Sequence, residues 1–345
     1  MSSTADPSLA RVETGFAPWP MTRRARTLWA GARITALAGL LALAAGIFLV
    51  PGFTLPLFWN VVLPLIPAVL LVSPGLWRGV CPVATVSIWT ARPGAPRIAE
   101  SPDRSIDLVA AGLLFAIVPA RHLLWNQNGM AFFGLLLVVA LLALVAGRLG
   151  PVKAGFCNAI CPVLPVERLY GQSPLLHVPN ARCARCSLCT VRGCVDLVPT
   201  KAVAQVLGPA RRNSQWLGTG FGFFAAAFPG FILAYGLTPD GPLRTAGTVY
   251  GVMAMAVLAS WALVAVISVV GNVPARVMMP GLAVVSLGLY YWFAAPGLVN
   301  TIGLPEGSVF LRGGVGLLLL LWVARSVVWT PRRNVVLEGS GPSPG

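Results

Sequence analysis

Four cysteines fall within twelve residues, as Cys183-Ala-Arg-Cys186-Ser-Leu-Cys189 followed by Cys194. Thiolates spaced Cys-x-x-Cys-x-x-Cys curl around one iron–sulfur cube, and a fourth ligand comes from further along the chain. The bacterial ferredoxin pattern leaves three residues before that fourth cysteine and follows it with Pro. Here the gap is four and Val195 follows. Zinc also takes four cysteines, but structural zinc sites favour two separated pairs. Adjacent Cys-x-x-Cys units on a cytoplasmic face point to metal or redox chemistry rather than to structural disulfides. The run predicts an iron–sulfur centre.

The chain that must position these thiols reads as membrane. Of its 345 residues 57% are hydrophobic and 10% charged, with a mean hydropathy of +0.79. A soluble domain carries about 25% charged residues. The net charge of +15 would suggest nucleic acid in a soluble protein. In a membrane protein it follows from Lys and Arg kept in cytoplasmic loops, and no nucleic-acid motif accompanies it.

Eight apolar stretches can span about 30 Å of hydrocarbon as helix. They lie near 30–50, 54–73, 106–124, 129–148, 216–236, 246–270, 277–296 and 308–329. Pro64 and Pro67 predict a kink or partial unwinding in the second. Trp29, Trp59, Trp77, Trp125, Trp216 and Trp329 fall near span ends, as an interfacial belt would place them. The expected fold is an all-α integral membrane protein of eight transmembrane helices in contact with lipid.

Orientation follows from the Lys and Arg of alternate loops. One side collects Arg11, Arg23, Arg24 and Arg26, then Arg78, Arg92, Arg97 and Arg104. It also collects nine between Arg148 and Arg212, then Arg276, Arg332 and Arg333; the other has Arg121, Arg244 and Arg312. Both termini and both cysteine-bearing loops are thus expected in the cytoplasm, around a multi-pass inner-membrane protein. Thr22-Arg23-Arg24 resembles the start of an export signal, but the apolar run continues past Ala44 and seven more spans follow.

The organisation expected is a polar tail (1–28), four spans (29–148) interrupted by a loop at 74–105, and a ferredoxin-like segment (149–213). Four more spans (214–330) and a disordered tail (331–345) complete it. A short repeat links the first half: Gly79-Val80-Cys81-Pro82-Val83 after the second span, and Ala159-Ile160-Cys161-Pro162-Val163 after the fourth. Two helices and a Cys-Pro turn, twice over, bring both turns to one face. Each Pro fixes φ and lacks an N–H, so it ends any helix containing the cysteine.

Phe156-Cys157-Asn158-Ala159-Ile160-Cys161-Pro162 is a Cys-x-x-x-Cys-Pro motif, and a ferredoxin-like cysteine run follows it. Over residues 75–205 the chain resembles the polytopic membrane ferredoxins of the NapH/NosR type, and CcoG-type proteins too. The resemblance implies electron transfer through 4Fe-4S clusters between the quinone pool, or another membrane donor, and partner redox proteins. It also admits a quinol dehydrogenase acting directly on quinol, or a factor that assembles or reduces metal centres. Cys157 and Cys161 correspond to one of the family's motif pairs. Cys81 corresponds to the second cysteine of another, with Trp77 where the first would stand.

Two 4Fe-4S clusters take eight thiolates, and the chain has seven cysteines. The simplest assignment gives Cys183, Cys186, Cys189 and Cys194 to one cluster; the alternative takes its fourth ligand from Cys161-Pro162. Cys81, Cys157 and Cys161 could hold a second cluster completed by His177, Asp196 or a small molecule. The plain alternative for these three is packing at helix ends, where free Cys behaves as a small hydrophobe. Arg182, Arg185, Arg192 and Lys201 would help retain a negatively charged cube, and they equally suit an ordinary cytoplasmic loop.

With only His122 and His177 present, and His122 alone near a span, a bis-histidine haem is not expected. Arg121, His122 and Asn126 at the outer end of the third span could face a quinone headgroup or form a plain interfacial cluster. No nucleotide loop, hydrolase elbow or paired-carboxylate motif occurs.

Overall fold

The computed structural model describes residues 21–91, 105–150, 153, 155–178, 194–196, 199–208, 210 and 214–328. Cys183, Cys186, Cys189, Arg182, Arg185, Arg192 and most of both tails lie outside the described residues.

Eight helices are long and apolar enough to cross a membrane. They are α1 (Arg23–Leu49), α2 (Pro51–Val72), α5 (Asp107–Trp125), α6 (Gly129–Gly147), α9 (Gly220–Leu237), α10 (Leu243–Val270), α11 (Ala275–Thr301) and α12 (Ser308–Val328). Between them lie the short helices α3 (Pro74–Val80), α4 (Pro82–Thr90), α7 (Leu164–Tyr170) and α8 (Pro199–Leu207). No strand occurs among the described residues.

Local chemistry sets the boundaries. The hydroxyl of Thr22 accepts from the Ala25 N–H, so α1 begins at Arg23, earlier than hydropathy alone suggests. Asn128 and Thr219 cap α6 and α9 in the same way, while Pro51, Pro74 and Pro82 open their helices. The distortion expected in the second span is a π-helical turn at Phe58–Val62, where the Leu63 N–H reaches back to the Phe58 carbonyl. Pro64, next in line, has no N–H to continue the ordinary ladder.

The bundle has two parts. Helix α9 is the centre of one, packing on α5, α7, α10 and α11. Ala225, Ala226 and Ala227 are fully buried there, and a Cβ on Gly230 would come 2.2 Å from the Ala256 carbonyl oxygen. Small residues let helices approach within lipid, where packing rather than water drives association. The other part gathers α1, α3, α4 and α6, with α2 packed on both α1 and α11.

Two stretches differ from expectation. The first half of the 74–105 loop is helical, as α3 and α4, because each Pro there sits at a helix start rather than inside one. Within the 149–213 segment, every residue of α7 is buried, against α2, α5, α9 and α11. Its Tyr170 ring lies 6.2 Å from Phe228, halfway along α9. Trp216 is fully buried instead of joining an interfacial belt, since the turn Ser214–Gly218 tucks it into the core before α9 begins.

Candidate metal centre

The two Cys-Pro turns are helix elbows. Cys81 ends α3 and begins α4, with φ −50° and ψ 122°, the extended backbone that a following Pro imposes. In the second turn the N–H groups of Ile160 and Cys161 both donate to the Phe156 carbonyl, and α7 starts at Leu164. The elbows bring Cys81, Cys157 and Cys161 to one cavity of about 110 Å³, whose wall also includes Arg78, Lys153 and Glu167. Cys81, Cys157 and Cys161 come from the two halves of the repeat and meet across α4, α6 and α7.

A buried charged network braces this wall. Arg78 donates to Glu167, to Asn158 Oδ1 at 2.6 Å and to Asp196 Oδ2 at 2.6 Å. Lys153 donates to Asp196 Oδ1 at 2.8 Å and to the Arg78 carbonyl at 2.7 Å. Nearby, Arg168 donates to Asp107 at 2.7 Å and pins α7 to the start of α5. Burying such charges is costly unless each is paired and hydrogen-bonded, and here the two carboxylates and two cations share one set of bonds.

Cys194 belongs to the same neighbourhood. It is buried beside Val195, whose side chain packs with Leu164 and Cys161. Cys157 and Cys194 both lie within electrostatic range of Arg78, so one guanidinium acts on both cysteine groups. Of the ferredoxin-like run, Cys194 alone is among the described residues.

Burial raises all three wall thiols: Cys157 to about 12, Cys161 well above the usual thiol range, and Cys81 upward as well. Arg78 and Lys153 oppose the rise at Cys157, whereas Glu167 adds to it at Cys161. Buried thiols of this kind surrender their protons when a metal supplies the opposing charge. Three thiols are donors of the type an iron–sulfur centre takes, and two cations would suit its negative charge, while Glu167 is engaged by Arg78. Among the described residues, no three His, Cys, Asp or Glu side chains are grouped to hold a single metal ion.

Of the residues offered to complete a second centre, His177 is exposed. Both Asp196 oxygens are engaged by Arg78 and Lys153, while Glu167 is the carboxylate on the wall. Sequence reading passed over Arg78, Lys153 and Glu167, counting the cations only as loop charge. A signal existed: in a chain with ten acidic residues, Glu167 and Asp196 each stand close to a cysteine.

A second, larger cavity of about 330 Å³ lies inside the bundle between α2, α5, α9 and α11. Val163, two residues past Cys161, forms part of both walls, so the two cavities adjoin there. At its far end stand Arg121, His122 and Tyr235. His122 Nδ1 meets Asp240 Oδ1 at 2.7 Å, and Asn126 donates to the other carboxylate oxygen at 2.6 Å. Arg121 donates to the Tyr235 hydroxyl at 2.7 Å and lies over the Trp59 ring. No protein-family model matches the chain, and neither a curated protein nor a solved structure matches it.

Proposed function

We propose that this protein is a membrane-bound iron–sulfur electron-transfer component of the NapH/NosR type, relaying electrons between a membrane donor, such as the quinone pool, and a partner redox protein. One observation carries the reading: cysteines from two separated Cys-Pro elbows line one cavity, and Arg78 links that cavity to the turn bearing Cys194. Cys183, Cys186 and Cys189 would hold a 4Fe-4S cluster, with Cys194 or Cys161 as fourth ligand. Cys81, Cys157 and Cys161 are the candidates for a second. A bound cluster supplies reversible one-electron storage. The chain's own part is to hold thiols at rigid helix elbows, surround them with Arg78 and Lys153, and bury them from water. The Lys and Arg asymmetry supports an orientation with both elbows and both termini on the cytoplasmic side, and this reading puts the protein in the inner membrane.

Iron and acid-labile sulfide in anaerobically purified full-length protein test this. About four irons per cluster are expected, with loss of the main signal in Cys183→Ser, Cys186→Ser and Cys189→Ser. If Cys161 is the fourth ligand, Cys161→Ser abolishes that signal and Cys194→Ser does not. If Cys161 serves a second centre, its loss removes part of the iron and spares the first signal. Stoichiometric zinc without sulfide would end this reading in favour of a zinc-stabilised scaffold.

A further inference from the structure

Pro296 lies inside α11 and has no N–H, so the Trp292 carbonyl four residues before it loses its helical partner. Within a membrane no water is at hand to replace that bond. Arg312, about 6 Å past the start of α12 at 1.5 Å per residue, fills the gap. Its Nε donates to the Trp292 carbonyl at 3.1 Å and its Nη2 at 2.8 Å. The guanidinium also lies over the Trp292 ring, 4.4 Å from the centroid. These ties hold the cation at the seam of α11 and α12 instead of leaving it free to snorkel.

Both partners are neutral. Among the described residues no carboxylate pairs with Arg312. Glu306, the nearest acid in sequence, is exposed in the turn Pro305–Gly307 and makes no ion pair with it. Two of the five guanidinium N–H groups are used, and the charge is left without a counterion near the end of a span.

Arg312 also lines a groove of about 630 Å³ between α11 and α12. The groove follows α12 from Val309 to Leu319, roughly 15 Å, which is half of a hydrocarbon core about 30 Å thick. It is one leaflet deep. Trp292 and Arg312 mark one end, and Gly288 faces Leu319 towards the other. A Cβ on Gly313 or Gly316 would meet nothing within 4 Å, so their missing side chains keep the groove open. The wall is otherwise apolar but for Tyr291, whose hydroxyl is spent on the Pro64 carbonyl at 2.7 Å. Trp292 is exposed at the charged end, as aromatic residues are at the level of lipid headgroups.

We propose that this groove binds one anionic phospholipid, with an acyl chain along Gly313 and Gly316 and the headgroup phosphate on Arg312. A leaflet-deep apolar slot with an uncompensated cation at its mouth matches an amphiphile with a hydrocarbon tail and a negative head. Phosphate oxygens accept the guanidinium N–H groups that Trp292 leaves unused. A zwitterionic headgroup brings its own cation beside the phosphate, so the net anionic lipid is preferred. A second copy of this chain docking by the same face would bring another Arg312 to the seam and no acid. The site is independent of the relay reading, since no cysteine takes part in it.

The test is native mass spectrometry of the full-length protein in detergent. It is titrated with phosphatidylglycerol, with phosphatidylcholine of the same chain length, and with inorganic phosphate. One phosphatidylglycerol should bind about tenfold tighter than phosphatidylcholine, and inorganic phosphate should not displace it. Arg312→Gln keeps an amide N–H for the Trp292 carbonyl but not the charge. It should lose about tenfold on phosphatidylglycerol and little on phosphatidylcholine. Gly313→Leu and Gly316→Leu fill the groove and should weaken both lipids, whereas Gly314→Leu adds the same bulk outside its wall and should change neither. Equal affinity for the two lipids in the wild type, or displacement by inorganic phosphate, overturns the proposal. So does wild-type binding in both Gly313→Leu and Gly316→Leu, or in a folded Arg312→Gln. A lipid-free dimer that Gly316→Leu dissociates would give the groove to a second copy instead. If Arg312→Gln does not fold, the glycine variants, with melting temperatures as the check on folding, decide it alone.

Discussion

Arg78 and Asp196, 118 residues apart in the chain, meet through Nε and Oδ2 at 2.6 Å with both side chains buried. The bond ties the elbow at Cys81 to the turn that follows Cys194, and Lys153 holds the opposite carboxylate oxygen. Two cysteine-bearing segments, distant in sequence, therefore share one rigid mount.

Removing that mount should be severe. Arg78→Met takes the guanidinium from the buried Glu167 carboxylate and leaves Asp196 with Lys153 as its remaining cation, at a cost of about 3–5 kcal/mol. Arg78→Lys keeps the charge but lacks the planar fork that meets three partners, so it should fall between the two. Thermal unfolding in detergent checks this; a wild-type melting temperature in Arg78→Met would refute it.

The same pair predicts a pH dependence. Burial pushes the Asp196 carboxyl up, but Arg78 and Lys153 outweigh it and hold the group at about 2, below its usual 3.8. A group depressed on folding stabilises fully above its unfolded value and loses that contribution as pH falls through its folded one. Wild type and Asp196→Asn should therefore differ in stability above pH 3.8 and converge as the pH falls towards about 2. Acid-unfolding curves separated by a constant gap down to that pH would contradict the assignment.

At Gly79, α3 packs tightly on α1. A Cβ there would stand 2.1 Å from the Trp29 ring, and the Gly79 carbonyl already accepts from Arg33 Nε at 2.9 Å. Gly79→Ala should cost about 1–3 kcal/mol through overpacking. Trp29→Ala should relieve most of it, so a double-mutant cycle should return a coupling of similar size. Additive effects would place the strain elsewhere.

Exposed positions at the two ends of the bundle report orientation. Gln127 precedes α6 at the His122 end, and Leu176 follows α7 on the cysteine side. A membrane-impermeant thiol reagent applied to intact cells should label Gln127→Cys, and should label Leu176→Cys only after permeabilisation. The reverse pattern would invert the topology.

The apolar spans were legible because crossing a bilayer needs length and hydropathy, both local sums along the chain. The Cys-Pro elbows were legible too, since a Pro restricts itself and its predecessor whatever surrounds them. Packing decided the rest. Helix α7 carries Glu167 and Arg168 among apolar residues, and it enters the bundle because Arg78 and Asp107, from other segments, satisfy those charges. Nothing local to 164–170 announces such partners. His122 stood out as one of two histidines, but its Asp240 partner appears only once α5 and the end of α9 are side by side. Val163 likewise becomes a shared wall only when both cavities exist. A sequence records which groups are available; which of them are buried together, and which remain unsatisfied, depends on contacts made across the whole bundle.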